Sequence, residues 1–159
     1  MYHEAQSEAM CAAHALNGIV QAPMFSEVDL AQAGIALSER EAALRAEGGV
    51  ESEEYLAYVG GENAYVGDDG NFSVEVLNVA LGAFGLVAVN GEHPSVVADI
   101  AANPGEAGEA YILNSGSHWL ALRKIGGVWY NLDSLADNPQ IVSEFYLSAY
   151  LATMRQVRL

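Results

Sequence analysis

The sequence has one cysteine, Cys11, and one lysine, Lys124. A single cysteine excludes an internal disulfide and a zinc site built on clustered cysteines, so neither metal nor cofactor is expected. Basic residues number six against 21 acidic ones, for a net charge of −15. A field of that sign repels phosphate backbones, which argues against nucleic acid as a partner. It suits solubility, or the steering of a basic partner. No apolar run approaches the roughly 18 residues of a membrane-spanning helix, so no membrane association is expected. The opening Tyr2-His3-Glu4-Ala5-Gln6-Ser7-Glu8 is polar and acidic where a Sec-type signal would be basic and then apolar, so no such signal is expected.

What the chain does have is apolar material: 52% of its 159 residues are hydrophobic, enough for the core of one domain, expected to span 1–159. No linker, repeat or low-complexity tract interrupts it. Met10, Ala13, Leu16, Ile19 and Val20 recur at helical spacing. Ser26 followed by Asp29 reads as a capping box that opens a long helix, stopped near Gly48-Gly49. Ser52 caps a short helix through Val59, and Gly60-Gly61 and Gly67-Asp68-Asp69-Gly70 read as loops. Ser73 caps a helix with Val76, Leu77, Ala80, Leu81 and Phe84 on one stripe, ended by Gly85. Residues 94–102 read as a short helix. Strands are predicted at 86–89, 110–114, 118–125 and 128–133, a helix at 140–152 and a last strand at 154–159. Helices first and mostly antiparallel strands later predict an α+β fold.

Cys11 falls near the start of the first helix, where free N–H groups and the positive end of the helix dipole favour thiolate over thiol. Gln6 can reach back over that helix end. Its amide, paired with the nucleophile's own N–H, would form an oxyanion hole, and standing alone it would be a solvated surface residue. Gly126-Gly127 fits a two-residue hairpin turn, which demands positive φ. Residue 125 then pairs with 128, Asp133 opposes Leu120 and His118 opposes Leu135. His118 and Asp133 share a face one diagonal step apart, roughly 7–8 Å at the backbone, within reach of an imidazole and a carboxylate. A slip of one residue would put them on opposite faces. The expected chemistry is Cys11 as nucleophile, His118 as base and Asp133 as the group that orients the imidazole. Trp119 would point into the core. His14, on a similar face of the helix to Cys11, is an alternative base that lacks a sheet-borne carboxylate; packing or hydrogen bonding behind the site is its expected role. His3 and His93 read as surface residues.

Several stretches resemble the Josephin family of deubiquitinating cysteine peptidases, in its ataxin-type form. They are His3-Glu4-Ala5-Gln6, Cys11-Ala12-Ala13-His14-Ala15-Leu16-Asn17, Ala46-Glu47-Gly48-Gly49-Val50 and Asp68-Asp69-Gly70-Asn71-Phe72-Ser73. Ala80-Leu81, Phe84-Gly85-Leu86, His118-Trp119 and Trp129-Tyr130-Asn131-Leu132-Asp133-Ser134-Leu135 follow in family order. The resemblance implies a papain-like fold with a helical hairpin arm, about 27–59, that arches over the cleft and moves on binding. It implies Gln6 as the oxyanion-hole residue, Cys11 as nucleophile, His118 as base, and Asp133 where the family has Asn or Asp. It also implies a ubiquitin-binding face at Val74, Glu75 and Phe84, where Phe84 replaces a tryptophan and Gly82 a basic residue. Glu8 and Ala9 stand where the family has glycine and serine, bringing negative charge toward the nucleophile.

On this resemblance the partner is ubiquitin or a polyubiquitin chain, and the chain acts as a monomer. The compartment is the cytosol, its own or that of a host reached by a secreted bacterial effector. Lysine scarcity fits a GC-rich genome, or a protein that works among ubiquitin ligases and has shed its acceptors. The alternatives are a papain-like peptidase for another Gly-Gly substrate, such as a ubiquitin-like modifier or a leader peptide, and a ubiquitin-binding module without turnover.

Overall fold

The computed structural model describes residues 1–6, 10–50, 52–60 and 72–156. Helices α1 (Cys11–Val20), α2 (Glu27–Ala46), α3 (Glu53–Val59) and α4 (Val74–Gly82) come first, then the short α5 (Val97–Ala102) and α6 (Pro104–Ala107). Strands β1 (Ala110–Ser115), β2 (His118–Ile125), β3 (Val128–Asn131) and β4 (Gln140–Val142) follow, and α7 (Glu144–Gln156) closes the order. The strands form one antiparallel sheet in the order β1-β2-β3-β4. This is the α+β architecture expected from the sequence.

The central strand β2 is buried on both faces. Trp119 and Ala121 join the core built by Leu16 of α1, Leu30 of α2 and Val76, Leu77 and Leu81 of α4. Leu120 and Leu122, alternating with them, join Trp129, Leu147, Leu151 and Ile100 on the opposite face. The helix carrying Cys11 therefore lies across one face of β2, with α7 covering the other. Gly18 lets α1 approach closely, since an added Cβ would meet Leu132 Cδ1 at 3.3 Å.

The local signals at the helix starts hold for the arm. Ser26 Oγ accepts from the Asp29 N–H and Asp29 accepts from the Ser26 N–H, a complete capping box. Ser52 Oγ caps α3 by accepting from the Tyr55 N–H at 3.2 Å. The α2–α3 hairpin is closed by the Tyr58 hydroxyl donating to Ser38 O at 3.1 Å, and by Arg45 stacked 4.8 Å from the Tyr58 ring centre.

Other expectations are corrected. Residues 86–89 form no strand: β-prone side chains alone do not make one without a partner edge, and the Ala88 N–H is taken by Asn78 Oδ1 at 3.0 Å. Leu86, Val87 and Val89 are exposed. Ser73 occupies the N-cap of α4 but its side chain makes no capping bond. Phe84 lies off the buried stripe, exposed, with its ring edge-on to Phe25 at 4.9 Å. Residues 140–142 are strand β4, paired with β3, and not the start of the last helix. Ser143 caps that helix, accepting from the Tyr146 N–H at 3.3 Å. With Leu147 and Leu151 packed one turn apart, α7 runs on to Gln156, where a strand was expected from Met154. The rest of that expected strand, at 157–159, lies outside the described residues, as do Gly61 and the loop at 67–70.

Leu122 is fully buried where β2 meets α7. Its replacement by alanine is expected to lower unfolding stability by about 2–5 kcal/mol, measured by urea denaturation.

Candidate active site

The Gly-Gly turn behaves as its sequence demands. Gly126 and Gly127 have φ of 58° and 81°, and Ile125 pairs with Val128. The register carries through Leu122–Asn131 to a last bond from the Leu132 N–H to Ala121 O at 2.9 Å. There the ladder stops. Asp133 is not on the strand, and Leu135 does not oppose His118. The Asn131 side chain accepts from the Asp133 N–H at 3.0 Å and turns the chain out of the sheet. The diagonal relation survives this turn: His118 Nε2 and Asp133 Oδ1 lie 2.7 Å apart, both side chains one-fifth exposed. Asp133 Oδ1 also accepts from the Leu135 N–H at 3.0 Å, which fixes the carboxylate.

Cys11, buried, is the first residue of α1, so its N–H has no acceptor within the helix. No acidic residue lies in the first turn. The sulfur meets the backbone on both sides of His118. The Trp119 N–H donates to Sγ at 3.4 Å, and Sγ–H points to Ser117 O at 3.9 Å. The first contact serves a thiolate as well as a thiol. The second, long and weak, exists only for the thiol and is lost on ionisation, which frees the sulfur to turn. Nε2 is the ring nitrogen engaged by Asp133, so that bond does not use Nδ1. Trp119 itself is buried, its indole N–H donating to Phe72 O at 3.0 Å.

Gln6 is held against the loop after Asp133. Its backbone N–H donates to Ser134 O at 2.6 Å, and its side-chain Oε1 accepts from the Ser134 hydroxyl at 2.9 Å. Glu8 and Ala9, between Gln6 and Cys11, lie outside the described residues.

Sequence reasoning left unread a polar network that joins residues 2–6 to α1. Glu4 accepts from the Tyr2 hydroxyl, pairs with His14 Nδ1 and accepts from Asn17 Nδ2 at 3.2 Å. Asn17, only 3% exposed, also accepts from the Met24 and Phe25 N–H groups at 2.9 and 2.8 Å and donates to Phe25 O at 3.0 Å. The signal was available: a polar residue on the apolar face of a helix must find partners. His14 thus sits behind the site on a carboxylate of its own, the role expected of it. His3 is not a free surface residue, since its Nε2 lies 2.8 Å from Ala136 O. His93 is exposed and bonded to Ser95. Burial raises the Glu4 carboxyl, but the bonds from Tyr2, His14 and Asn17 together outweigh it and hold the group below its ordinary value. Burial, then Glu4, pushes the Tyr2 hydroxyl up to about 12.

Val74 and Glu75 are exposed on the first turn of α4, and Phe84 lies just past its end, about 14 Å along the axis. Among the described residues no group of acidic, histidine or cysteine side chains could hold a metal ion.

A helix-borne cysteine packed against the histidine strand of an antiparallel sheet defines a papain-like cysteine peptidase fold. A model of the Josephin family matches residues 6–158. The ataxin-3-like protein and ataxin-3 of Homo sapiens are 36% and 35% identical over 156 residues, and an ataxin-3 homolog of Arabidopsis thaliana 37% over 159. Each alignment covers 98% of this chain, but 43% of either human protein and 55% of the plant one. The chain therefore spans about half the length of these relatives. It belongs to the Josephin family.

Because the folded state depresses the Glu4 titration, the ionised carboxylate adds stability at neutral pH that is lost as pH falls through the folded value, below the ordinary range of about 4.3. Glu4→Gln is expected to be less stable than the parent at pH 7, with the gap narrowing below about pH 4. Chemical denaturation of both proteins across pH measures it.

Proposed function

We propose that the chain is a thiol-dependent deubiquitinase, cleaving the bond after the C-terminal Gly-Gly of ubiquitin with Cys11, His118, Asp133 and Gln6. The observation that carries this reading is the 2.7 Å His118–Asp133 bond, at a strand end whose backbone contacts Cys11 Sγ from both sides. Membership of the Josephin family supports ubiquitin as the class of substrate.

In this mechanism His118 takes the thiol proton and the sulfur attacks the carbonyl carbon of ubiquitin's last glycine. The negative charge that forms on the carbonyl oxygen is met by the Cys11 N–H and the Gln6 amide. His118 gives its proton to the leaving amine as the C–N bond breaks, leaving a thioester on Cys11. Water, deprotonated by His118, then attacks that carbonyl, and the C–S bond breaks to release the ubiquitin carboxylate and the thiol. Asp133 holds the imidazole with Nδ1 toward the sulfur and stabilises its charged form. An extended Gly-Gly tail suits a cleft too narrow for side chains.

The reading extends to a single catalytic domain over residues 1–159, acting as a monomer in a cytosol without cofactor. Val74 and Phe84, 44% and 43% exposed, and Glu75 are assigned to the ubiquitin-docking surface. Among the described residues no helix is long and apolar enough to cross a membrane.

An electrophilic C-terminal ubiquitin probe is expected to label Cys11 and no other residue; failure to react would leave a binding module without turnover. Cys11→Ala is expected to abolish cleavage of fluorogenic ubiquitin while retaining ubiquitin binding. Asp133→Ala should slow turnover by about one to several orders of magnitude at neutral pH. An unchanged rate would mean that another group orients His118.

A further inference from the structure

We infer that Ser134 is a positioning residue for catalysis, fixing which edge of the Gln6 amide faces the reacting carbonyl; this rests on the oxyanion role proposed for Gln6. A glutamine amide has an acceptor end and a donor end of nearly the same shape, and only the donor end stabilises an oxyanion. Something must choose between them. Ser134 is 3% exposed and grips Gln6 at two points. Its carbonyl accepts from the Gln6 N–H at 2.6 Å and its hydroxyl lies 2.9 Å from Gln6 Oε1. The hydroxyl hydrogen, donated to Oε1, occupies the acceptor end and does not draw on the Nε2 hydrogens. The same residue follows Asp133 directly, in the turn set by the Asn131 side chain. One short loop therefore sets both the imidazole, through Asp133, and the oxyanion donor, through Ser134.

The other contacts of residues 2–6 make this clamp rigid. His3 Nε2 meets Ala136 O at 2.8 Å, two residues past Ser134. On the far side Glu4 is pinned to α1 by His14 and Asn17. Tyr2 exchanges hydrogen bonds with the Gln21 side chain, at 2.9 Å from its N–H and 3.2 Å to its carbonyl. The segment is a strap between the helix of the sulfur and the loop of the carboxylate. With its backbone held, the amide has only side-chain rotation left, and the Ser134 hydroxyl restrains that.

The test is a double-mutant cycle on fluorogenic ubiquitin with Ser134→Ala, Gln6→Ala and the pair, in the whole 159-residue chain. Removing an oxyanion donor costs about 10²–10³-fold in kcat, and Gln6→Ala is expected in or somewhat below that range. Ser134→Ala should lower kcat by about tenfold with KM nearly unchanged, because the freed amide samples several side-chain rotamers and presents its donor edge in only about a tenth of them. In the Gln6→Ala background it should cost less than about twofold. Ser134→Thr, which keeps the hydroxyl, should recover most of the loss. The rate of Cys11 alkylation by iodoacetamide, a displacement that forms no oxyanion, should be unchanged in Ser134→Ala. It also reports that the thiol and its surroundings remain folded. An equal loss in both backgrounds, or a parallel fall in alkylation, would overturn the inference by placing the effect on Asp133 or on folding. If Ser134→Ala does not fold, Ser134→Thr decides: a hydroxyl-bearing variant that folds but is as slow as Gln6→Ala also overturns it. If Gln6→Ala loses nothing, the oxyanion reading itself falls, and with it this one.

Discussion

The 2.7 Å bond between His118 and Asp133 joins two positions that only a hairpin of fixed register brings together. That register is set at the far end of the strands, where Gly126 and Gly127 take positive φ values that L-side chains rarely adopt. Each rung after the turn repeats the choice made there, and the last reaches Leu132 and Ala121. A shift of one residue would turn Trp119 and Ala121 out of the core shared with α1. The apolar core and the imidazole partner are thus specified by the same pairing, so the site cannot be misaligned without exposing a buried tryptophan.

The sulfur is brought to this pair from the helical half, and three features hold it there. Gly18 permits α1 to close on Leu132, one residue before Asp133. The backbone flanking His118 contacts Sγ directly. Residues 2–6 tie the body of α1 to the segment after Asp133 through charge-assisted and backbone bonds. Burial of Glu4 among polar partners is costly unless each is satisfied. Here Tyr2, His14 and Asn17 all meet the Glu4 carboxylate, so the network both fixes the position of residues 2–6 and contributes stability at neutral pH.

How much of this the sequence reveals follows from where the information is local. The Gly-Gly turn, the Ser26–Asp29 box and the Ser52 cap involve residues within a few positions of each other, and all stand as read. The family resemblance is matched over nearly the whole chain. What the sequence hides depends on distant partners. Residues 86–89 have strand-like side chains and no partner edge, while β4 finds one in β3 although its residues read as helix. Asp133 leaves the ladder because the Asn131 side chain competes with it for a backbone N–H. Ser134 and Glu4 gain their meaning only when chain segments more than 100 and about 10 residues away fold against them. The identity of those partners is a tertiary fact with no periodicity to betray it.

Helix α2 has a mechanical consequence of its own. Its buried residues are Leu30 and Gly34, both in its first half, while the rest projects with α3 strapped alongside. From Leu30 to Ala46 the axis runs roughly 24 Å. A tilt of about 10° at the anchored end would sweep the tip by roughly 4 Å, a displacement comparable to the thickness of a peptide backbone. The arm is thus anchored as a lever is, with its fulcrum on the core at Leu30 and its length beyond the anchor multiplying any rotation there.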